Sequence, residues 1–180
     1  MVDAIISILS NDAFKGIMLI VGALIAILSV YTARLIAKKK QAADFLLGCR
    51  NDDHLLAGLK AIRECDTTGE KTLAYYVTPA NAKKAQDTDA AKQDQETAAA
   101  IRYVLNHYEN LSIGIQSGIY DESMMRNAVY GIVVATYNRT KPFIAQMRNT
   151  HNSATLYQEF QWLANRWTRK PLKNKYPNGT

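Results

Sequence analysis

The longest uninterrupted apolar stretch of the chain lies near its N-terminus. From Gly16 to Ala33, eighteen residues carry no charge. As an α-helix they cover about 27 Å, close to the thickness of the hydrocarbon core of a bilayer. The pattern predicts one transmembrane helix, placed with its flanks at 15–37. A cleaved secretory signal is not favoured, because the N-terminus carries Asp3 and Asp12 rather than a basic cluster.

The residues after this stretch predict how the helix is oriented in an inner membrane. The basic residues Arg34, Lys38, Lys39 and Lys40 follow it closely. Because lysine and arginine accumulate on the cytoplasmic side, the C-terminal part of the chain is expected in the cytoplasm and the segment 1–14 outside. The same cluster is expected to lie at the cytoplasmic membrane surface, where it can also attract anionic lipid.

Small residues recur along one side of the predicted membrane helix. Gly22, Ala26 and Ser29 follow one another at helical spacing, and such strips allow two helices to approach closely. Small residues are also common in membrane helices generally. Two interpretations therefore stay open: a pair of packed helices, or a single helix surrounded by lipid.

The pattern beyond the basic cluster is that of an amphipathic helical domain. Residues 38–50 predict a juxtamembrane extension of the first helix, and 51–168 predict a cytoplasmic helical domain. A helix with an N-cap among 51–53 places Leu55, Leu56, Leu59 and Ile62 on one face. Lys71–Thr78 fits either a short helix or a strand, ended by Pro79.

The stretch 79–97 is polar and fits either a solvated helix, beginning at about Asp87, or a flexible insertion. The clearest helix follows it, with apolar residues recurring every three or four positions: Ile101, Val104, Leu105, Tyr108, Leu111, Ser112 and Ile115.

Three further helices complete the pattern. Asp121 predicts the N-cap of a helix that runs toward Arg139, and Thr140-Lys141-Pro142 predicts the start of another. A last helix is expected from about Ala154 to Thr168, followed by a basic tail at 169–180. No segment alternates at period two, so the predicted fold class is all-α: one transmembrane helix continuing into a bundle of about 4–6 helices.

Composition narrows the possible functions without selecting one. The chain has 180 residues and a formal net charge of +6. Its cysteines, Cys49 and Cys65, are expected to be reduced thiols in a cytoplasmic domain. Together with His54 they match no zinc spacing, so neither a metal nor a cofactor is expected. Nucleic acid is not favoured, because the tryptophans and tyrosines near the basic tail fall at core spacing.

Seven polar residues form the densest candidate cluster, although no nucleophile motif accompanies them and no catalytic residue is assigned. They are Asn106, His107, Glu109, Asp121, Glu122, Arg126 and Arg148. A helical hairpin is expected to bring Glu109 near Arg126 or Arg148. Such a cluster either performs acid–base chemistry, as in a membrane-tethered hydrolase, or forms an ion-paired network that fixes how the helices pack.

The C-terminal half resembles an uncharacterised bacterial and phage family of membrane-anchored helical proteins, a domain of unknown function. The matching positions are Leu105-Asn106-His107-Tyr108-Glu109, Gly114, Gly118-Ile119-Tyr120-Asp121-Glu122, Arg148, Tyr157-Gln158-Glu159, Leu163-Ala164 and Trp167. The resemblance implies a helical fold and membrane attachment, and it implies no particular activity.

The leading functional hypothesis is therefore a non-enzymatic inner-membrane protein that binds a protein partner, or itself, at the cytoplasmic face. Phage exclusion and an accessory role in a membrane complex are the two biological settings that the resemblance suggests. The alternatives are a hydrolase-like enzyme using Glu109, His107 and Arg126, and an electrostatic binder of anionic lipid or nucleic acid using Lys38–Lys40 and the basic tail.

Overall fold

The computed structural model describes residues 12–68, 71–77 and 89–173, and the regular structure in these ranges is entirely helical. In chain order the elements are α1 (Asp12–Arg50), α2 (Asp53–Thr68), a 3₁₀ helix (Leu73–Val77), α3 (Asp89–Gln116), α4 (Glu122–His151) and α5 (Gln158–Arg169). The predicted all-α fold class is confirmed. Most of the predicted segment 1–14, the first part of 79–97 and the end of the tail 169–180 lie outside the described residues.

The chain divides into two compact units after Lys40. The first unit contains the apolar part of α1, and from Phe14 onward this helix is long and apolar enough to cross a membrane. None of its most apolar eighteen-residue window is buried. Leu19, for example, is 76% exposed. An apolar surface of this kind is normally covered by lipid or by another protein.

The second unit, from Gln41, is a helical bundle. Within it α3 packs against α2 and α5, while α4 packs against α5, α2 and the 3₁₀ helix. The apolar face predicted for α3 is buried along its whole length, from Ile101 to Ile115. The largest fully buried side chains are Trp167, Phe143, Phe160, Ile101, Leu105, Leu111 and Met125.

Short polar side chains and one glycine determine where the helices begin and end. Asp52 accepts a hydrogen bond from the Leu55 backbone N–H at 2.9 Å, and Asp121 accepts one from Met124 N–H at 2.7 Å. The N-cap predicted at Asp121 is thus confirmed. After α3, Gly118 adopts a φ of 68°, and the N–H of the next residue returns to the Gly114 carbonyl. This is a Schellman ending, which favours glycine.

The prediction of a new helix at Thr140-Lys141-Pro142 is wrong, because α4 continues through Pro142 to His151. The Thr140 hydroxyl donates to the Thr136 carbonyl at 2.8 Å, one turn before the proline. Buried side chains recur at helical spacing on both sides of the proline: Val133, Thr136, Tyr137, Thr140, Phe143, Ile144 and Met147. Packing of this continuous face outweighs the cost of the missing N–H.

Helices α2 and α3 approach each other closely at Gly58. A Cβ placed there would lie 2.5 Å from the Ala100 carbonyl oxygen and 2.5 Å from the Val104 Cγ2. The first neighbour is backbone and cannot rotate away. Glycine at 58 is therefore a packing requirement.

We expect Gly58→Ala to lower the free energy of unfolding by about 1–3 kcal/mol, since overpacking outweighs the gain in helix propensity. Gly131 offers a matched control in α4, because a Cβ there meets nothing within 4 Å. Gly131→Ala is expected to stabilise by up to about 1 kcal/mol. Denaturant titration of the full chain in detergent, followed by circular dichroism, measures both changes. Equal effects of the two variants would contradict the close approach.

Candidate functional site

Four of the seven polar residues singled out in the sequence converge on α5. This helix has 12 residues, with Phe160, Leu163, Ala164 and Trp167 buried on one face. A helix of this length is marginal in water when isolated. Its N-cap residue, Tyr157, adopts a left-handed φ of 56° and supplies no side-chain capping bond. The first N–H groups of α5 therefore need acceptors from elsewhere in the fold.

Glu109, in the C-terminal half of α3, supplies those acceptors. Its Oε2 accepts from the Phe160 backbone N–H at 2.6 Å, and its Oε1 accepts from the Glu159 N–H at 3.3 Å. These are the positions that a helix's own N-cap side chain normally serves. A carboxylate also interacts favourably with the positive end of the helix dipole. Glu109 therefore caps α5 from a neighbouring helix.

The environment of Glu109 acts on its ionisation in two directions. Burial raises its pKa above the ordinary value of 4.5, whereas the N–H groups of Phe160 and Glu159 act to lower it. Arg148 also favours the charged form. Of the two arginines predicted near Glu109, the one that acts on its charge is therefore Arg148.

Glu122, at the start of α4, binds the last turns of α5. Its Oε1 lies 2.7 Å from the Arg166 Nε and its Oε2 lies 3.0 Å from the Arg166 Nη2, a bidentate geometry. The Trp167 indole N–H donates to the same Oε1 at 3.3 Å. The bond from Arg166 is the main reason that the pKa of Glu122 is lowered.

Arg126, one turn further along α4, binds the C-terminal end of α5. Its Nη2 donates to the carbonyl of Lys170, which directly follows the helix. A guanidinium suits this position, because the carbonyl end of a helix carries partial negative charge. The two ends of α5 thus meet charged groups of opposite sign, Glu109 and Arg126.

Arg148 holds the turn that leads into α5. Its Nε donates to the Leu156 carbonyl at 2.9 Å, and its Nη2 donates to the Gln161 Oε1 at 2.9 Å. Four of the seven candidate residues therefore contact α5 or its flanking turns. We call the set Glu109, Glu122, Arg126 and Arg148 the α5 clamp.

The other three candidates lie apart from the clamp. Asp121 caps α4, and Asn106 is exposed. His107 approaches the thiol of Cys49, with its Nε2 at 3.3 Å from the Sγ, and its ring lies 4.8 Å from that of Phe45. This contact joins α3 to the end of α1, and no local signal in the sequence indicates it.

The Cys49 thiol and the His107 imidazole are both favoured in their neutral forms. Burial, and then the charge of Asp52, raise the pKa of Cys49 to about 11. Burial lowers the pKa of His107. A nucleophilic cysteine needs the opposite shift, toward the thiolate. The contact therefore serves as a hydrogen bond within the bundle.

A second polar contact that the sequence did not reveal joins the 3₁₀ helix region to α3. Asp94 accepts from the Lys71 Nζ at 2.6 Å and from the Tyr75 hydroxyl at 2.9 Å. Both bonds connect segments separated by nineteen or more positions in the sequence. Only the tertiary fold brings such groups together.

The three residues of the hydrolase hypothesis are distributed among different contacts. Glu109 binds the N-terminal end of α5, Arg126 binds beyond its C-terminal end, and His107 faces Cys49. In the part of the chain that the structure describes, no group of three or more His, Cys, Asp or Glu side chains is arranged to hold a metal ion.

The residues predicted for the membrane helix lie on α1. Gly22, Ala26 and Ser29 are all exposed. Arg34, Lys39 and Lys40 are exposed as well, and Lys38 is partly buried. Along this part of the chain the Thr32 hydroxyl donates to the Leu28 carbonyl at 3.0 Å, so it is satisfied within the helix.

We expect Glu109→Ala to lower the free energy of unfolding by about 1–2 kcal/mol, because it removes the cap of α5. Asn106→Ala, one turn earlier on α3 and exposed, is the matched control and should stay within about 0.5 kcal/mol of wild type. Hydrogen exchange measures the effect locally, at the N–H groups of residues 159 and 160. Unchanged protection of those two amides in the Glu109→Ala variant would contradict the capping role.

The ion pair of Glu122 predicts a loss of stability in acid. Its pKa is lowered from 4.5, so the folded state binds fewer protons than the unfolded state, and the stabilisation is complete above pH 4.5 and lost as the pH falls below it. Glu122→Gln should flatten the fall in unfolding midpoint below that pH. The midpoints of wild type and variant, measured across the acid range, give the test. Parallel curves would contradict the assignment.

Comparison with known proteins agrees with the family resemblance. The chain matches the family described as domain of unknown function (DUF4760) over residues 17–167, which includes most of α1 and all of the α5 clamp. No curated protein and no solved structure matches the chain. Because the match covers more than four fifths of the sequence, the chain belongs to the DUF4760 family, a domain of unknown function.

Proposed function

We propose that the protein is a single-pass inner-membrane protein, with its N-terminus outside and its helical domain in the cytoplasm, which binds a protein partner or a second copy of itself. Phage exclusion and an accessory role in a membrane complex are the settings we propose for this binding. The α1 helices of two copies would pack through Gly22, Ala26 and Ser29.

The observation that carries the proposal is the apolar part of α1. No residue of its most apolar window is buried, so a large apolar surface needs a cover. Lipid provides that cover for a helix of this length. The basic residues from Arg34 to Lys40 support the cytoplasmic direction of the C-terminal end.

The chemistry of the second unit supports binding over catalysis. The charged residues of the α5 clamp are bonded to backbone groups and to polar side chains of α5, and these bonds define the position of a helix. Charged groups that are bonded in this way hold the surface of the bundle around α5 in a fixed position. A bundle that presents a fixed surface suits a binding module.

Exposed apolar side chains provide the surface for a partner. Large apolar residues at least 37% exposed occur on several helices of the bundle and in the turn between α3 and α4: Leu47, Leu56, Tyr103, Ile113, Ile119, Ile132 and Trp162. Trp162 also forms a cation–π contact with Arg166, whose guanidinium carbon lies 5.5 Å from the centroid of the indole ring. Tryptophan and arginine are enriched where partners bind most strongly.

The test is a pull-down of the full chain, solubilised in mild detergent, with mass measurement of the purified particle. We expect either a reproducible protein partner or a protein mass above the 20.1 kDa of one chain. A dimer that dissociates on Gly22→Ile would assign the contact to α1. A monomer without a reproducible partner contradicts the proposal.

Four single variants locate the binding surface: Leu47→Ser, Ile113→Ser, Ile119→Ser and Trp162→Ser. At least one should reduce partner recovery tenfold or more, the range expected for a central interface residue. Asn127→Ser, at an exposed polar position of α4, is the control. Full recovery with all four variants would place the interaction elsewhere than on these side chains.

A further inference from the structure

An apolar groove of about 240 Å³ opens on the second unit, where the end of α1, the start of α2 and the first half of α4 meet. Its walls include Leu46, Leu56, Leu59, Ala128, Val129 and Ile132. Two of these side chains, Leu56 and Ile132, are 49% and 40% exposed. The groove is thus open to its surroundings and lined mainly by aliphatic groups.

The lining carries a positive charge and no negative one. Arg50 lines the groove and is exposed, and it forms no hydrogen bond or ion pair with another described residue. The other ionisable groups of the lining are Cys49 and Tyr108, and burial raises the pKa of both, so they are neutral at pH 7. An apolar groove with one unpaired cation is complementary to an amphiphile with an anionic head.

The adjacent carboxylate is bonded to groups other than Arg50. Asp52 follows Arg50 by two positions, and its two oxygens accept hydrogen bonds from the Leu55 N–H and the Tyr103 hydroxyl. It is not part of the lining. Arg50 therefore remains the charged group that the groove offers to a ligand.

The chain itself keeps the groove near a supply of such amphiphiles. Arg50 lies ten residues after Lys40, the last of the basic residues that we place at the membrane surface. Ten residues span at most about 35 Å even when fully extended. A groove on this tether meets phospholipid at high local concentration, whereas a soluble ligand has no such advantage.

We propose that this groove binds one acyl chain of an anionic phospholipid from the adjacent bilayer, with Arg50 contacting the phosphate. A methylene group is about the size of a water molecule, so the groove holds roughly eight of them, about half of a common acyl chain. The inference rests on the membrane attachment proposed above and goes beyond it, because it assigns a lipid to a particular site.

The experiment uses the full chain in vesicles of phosphatidylcholine that contain phosphatidylglycerol with a diazirine in one acyl chain. After photolysis and tryptic digestion, mass spectrometry locates the label. We expect label in the groove peptides 41–50, 51–60 and 127–139, in addition to the membrane peptide 16–34.

Two matched pairs of variants test the groove and its charge. Ala128→Phe fills the groove, while Ala145→Phe adds the same ring at another exposed position of α4. Only the first should reduce the groove label, by about fivefold or more, with label in 16–34 unchanged. Arg50→Gln should remove a threefold or greater preference for the phosphatidylglycerol probe over the same probe in phosphatidylcholine. Lys92→Gln, exposed on α3, should keep it.

The outcomes separate this inference from the proposed function. Label confined to 16–34 overturns the groove assignment and leaves membrane attachment supported. The same labelling is expected if a protein segment occupies the groove. Absence of label from 16–34 overturns both proposals. Equal groove label in wild type and Ala128→Phe overturns the site. Equal groove label from the two headgroups overturns its anionic specificity.

Discussion

The placement of α5 depends on the bond between the Glu109 carboxylate and the N-terminal end of that helix. α5 is too short to be stable alone, and it begins at a left-handed Tyr157 that offers it no side-chain cap. It nevertheless lies between α3 and α4 and contacts both. A helix in that position transmits any error in its placement to both neighbours. By capping α5, the Glu109 side chain therefore positions that helix against both α3 and α4.

The aromatic core explains why α5 needs such accurate placement. Phe160 is fully buried, and its ring lies 5.3 Å from that of Tyr108 and 5.4 Å from that of Tyr137. The first contact is stacked and the second is edge-on, and both geometries are sensitive to small shifts of the ring. Because the backbone N–H of the same Phe160 binds Glu109, the polar cap and the aromatic core position one residue. Phe160 thus packs into the core through its ring and is held in position through its backbone N–H.

The sequence predicted those features that depend on neighbouring positions in the chain. The buried face of α3 and the N-cap at Asp121 follow from periodicity and local hydrogen bonding, and both are confirmed. The continuation of α4 through Pro142 did not follow from them, because tertiary packing there outweighs a local signal. The pairing of His107 with Cys49 joins positions 58 apart, and no local pattern encodes it. The candidate residues were identifiable as a group, whereas the convergence of four of them on α5 required the fold.

The last turns of α1 contribute side chains to the core of the bundle. The compact second unit begins at Gln41, ten residues earlier than the predicted start of the helical domain at 51. Ala42 is fully buried in its core, and the ring of Phe45 lies 5.1 Å from that of Tyr120. Residues 41–50 therefore belong to the bundle, although they are part of the same helix as the apolar stretch. No loop separates the two parts, so a fragment cut at residue 51 would remove core side chains as well as the apolar helix. The helix that carries the proposed anchor therefore also supplies side chains to the core of the bundle.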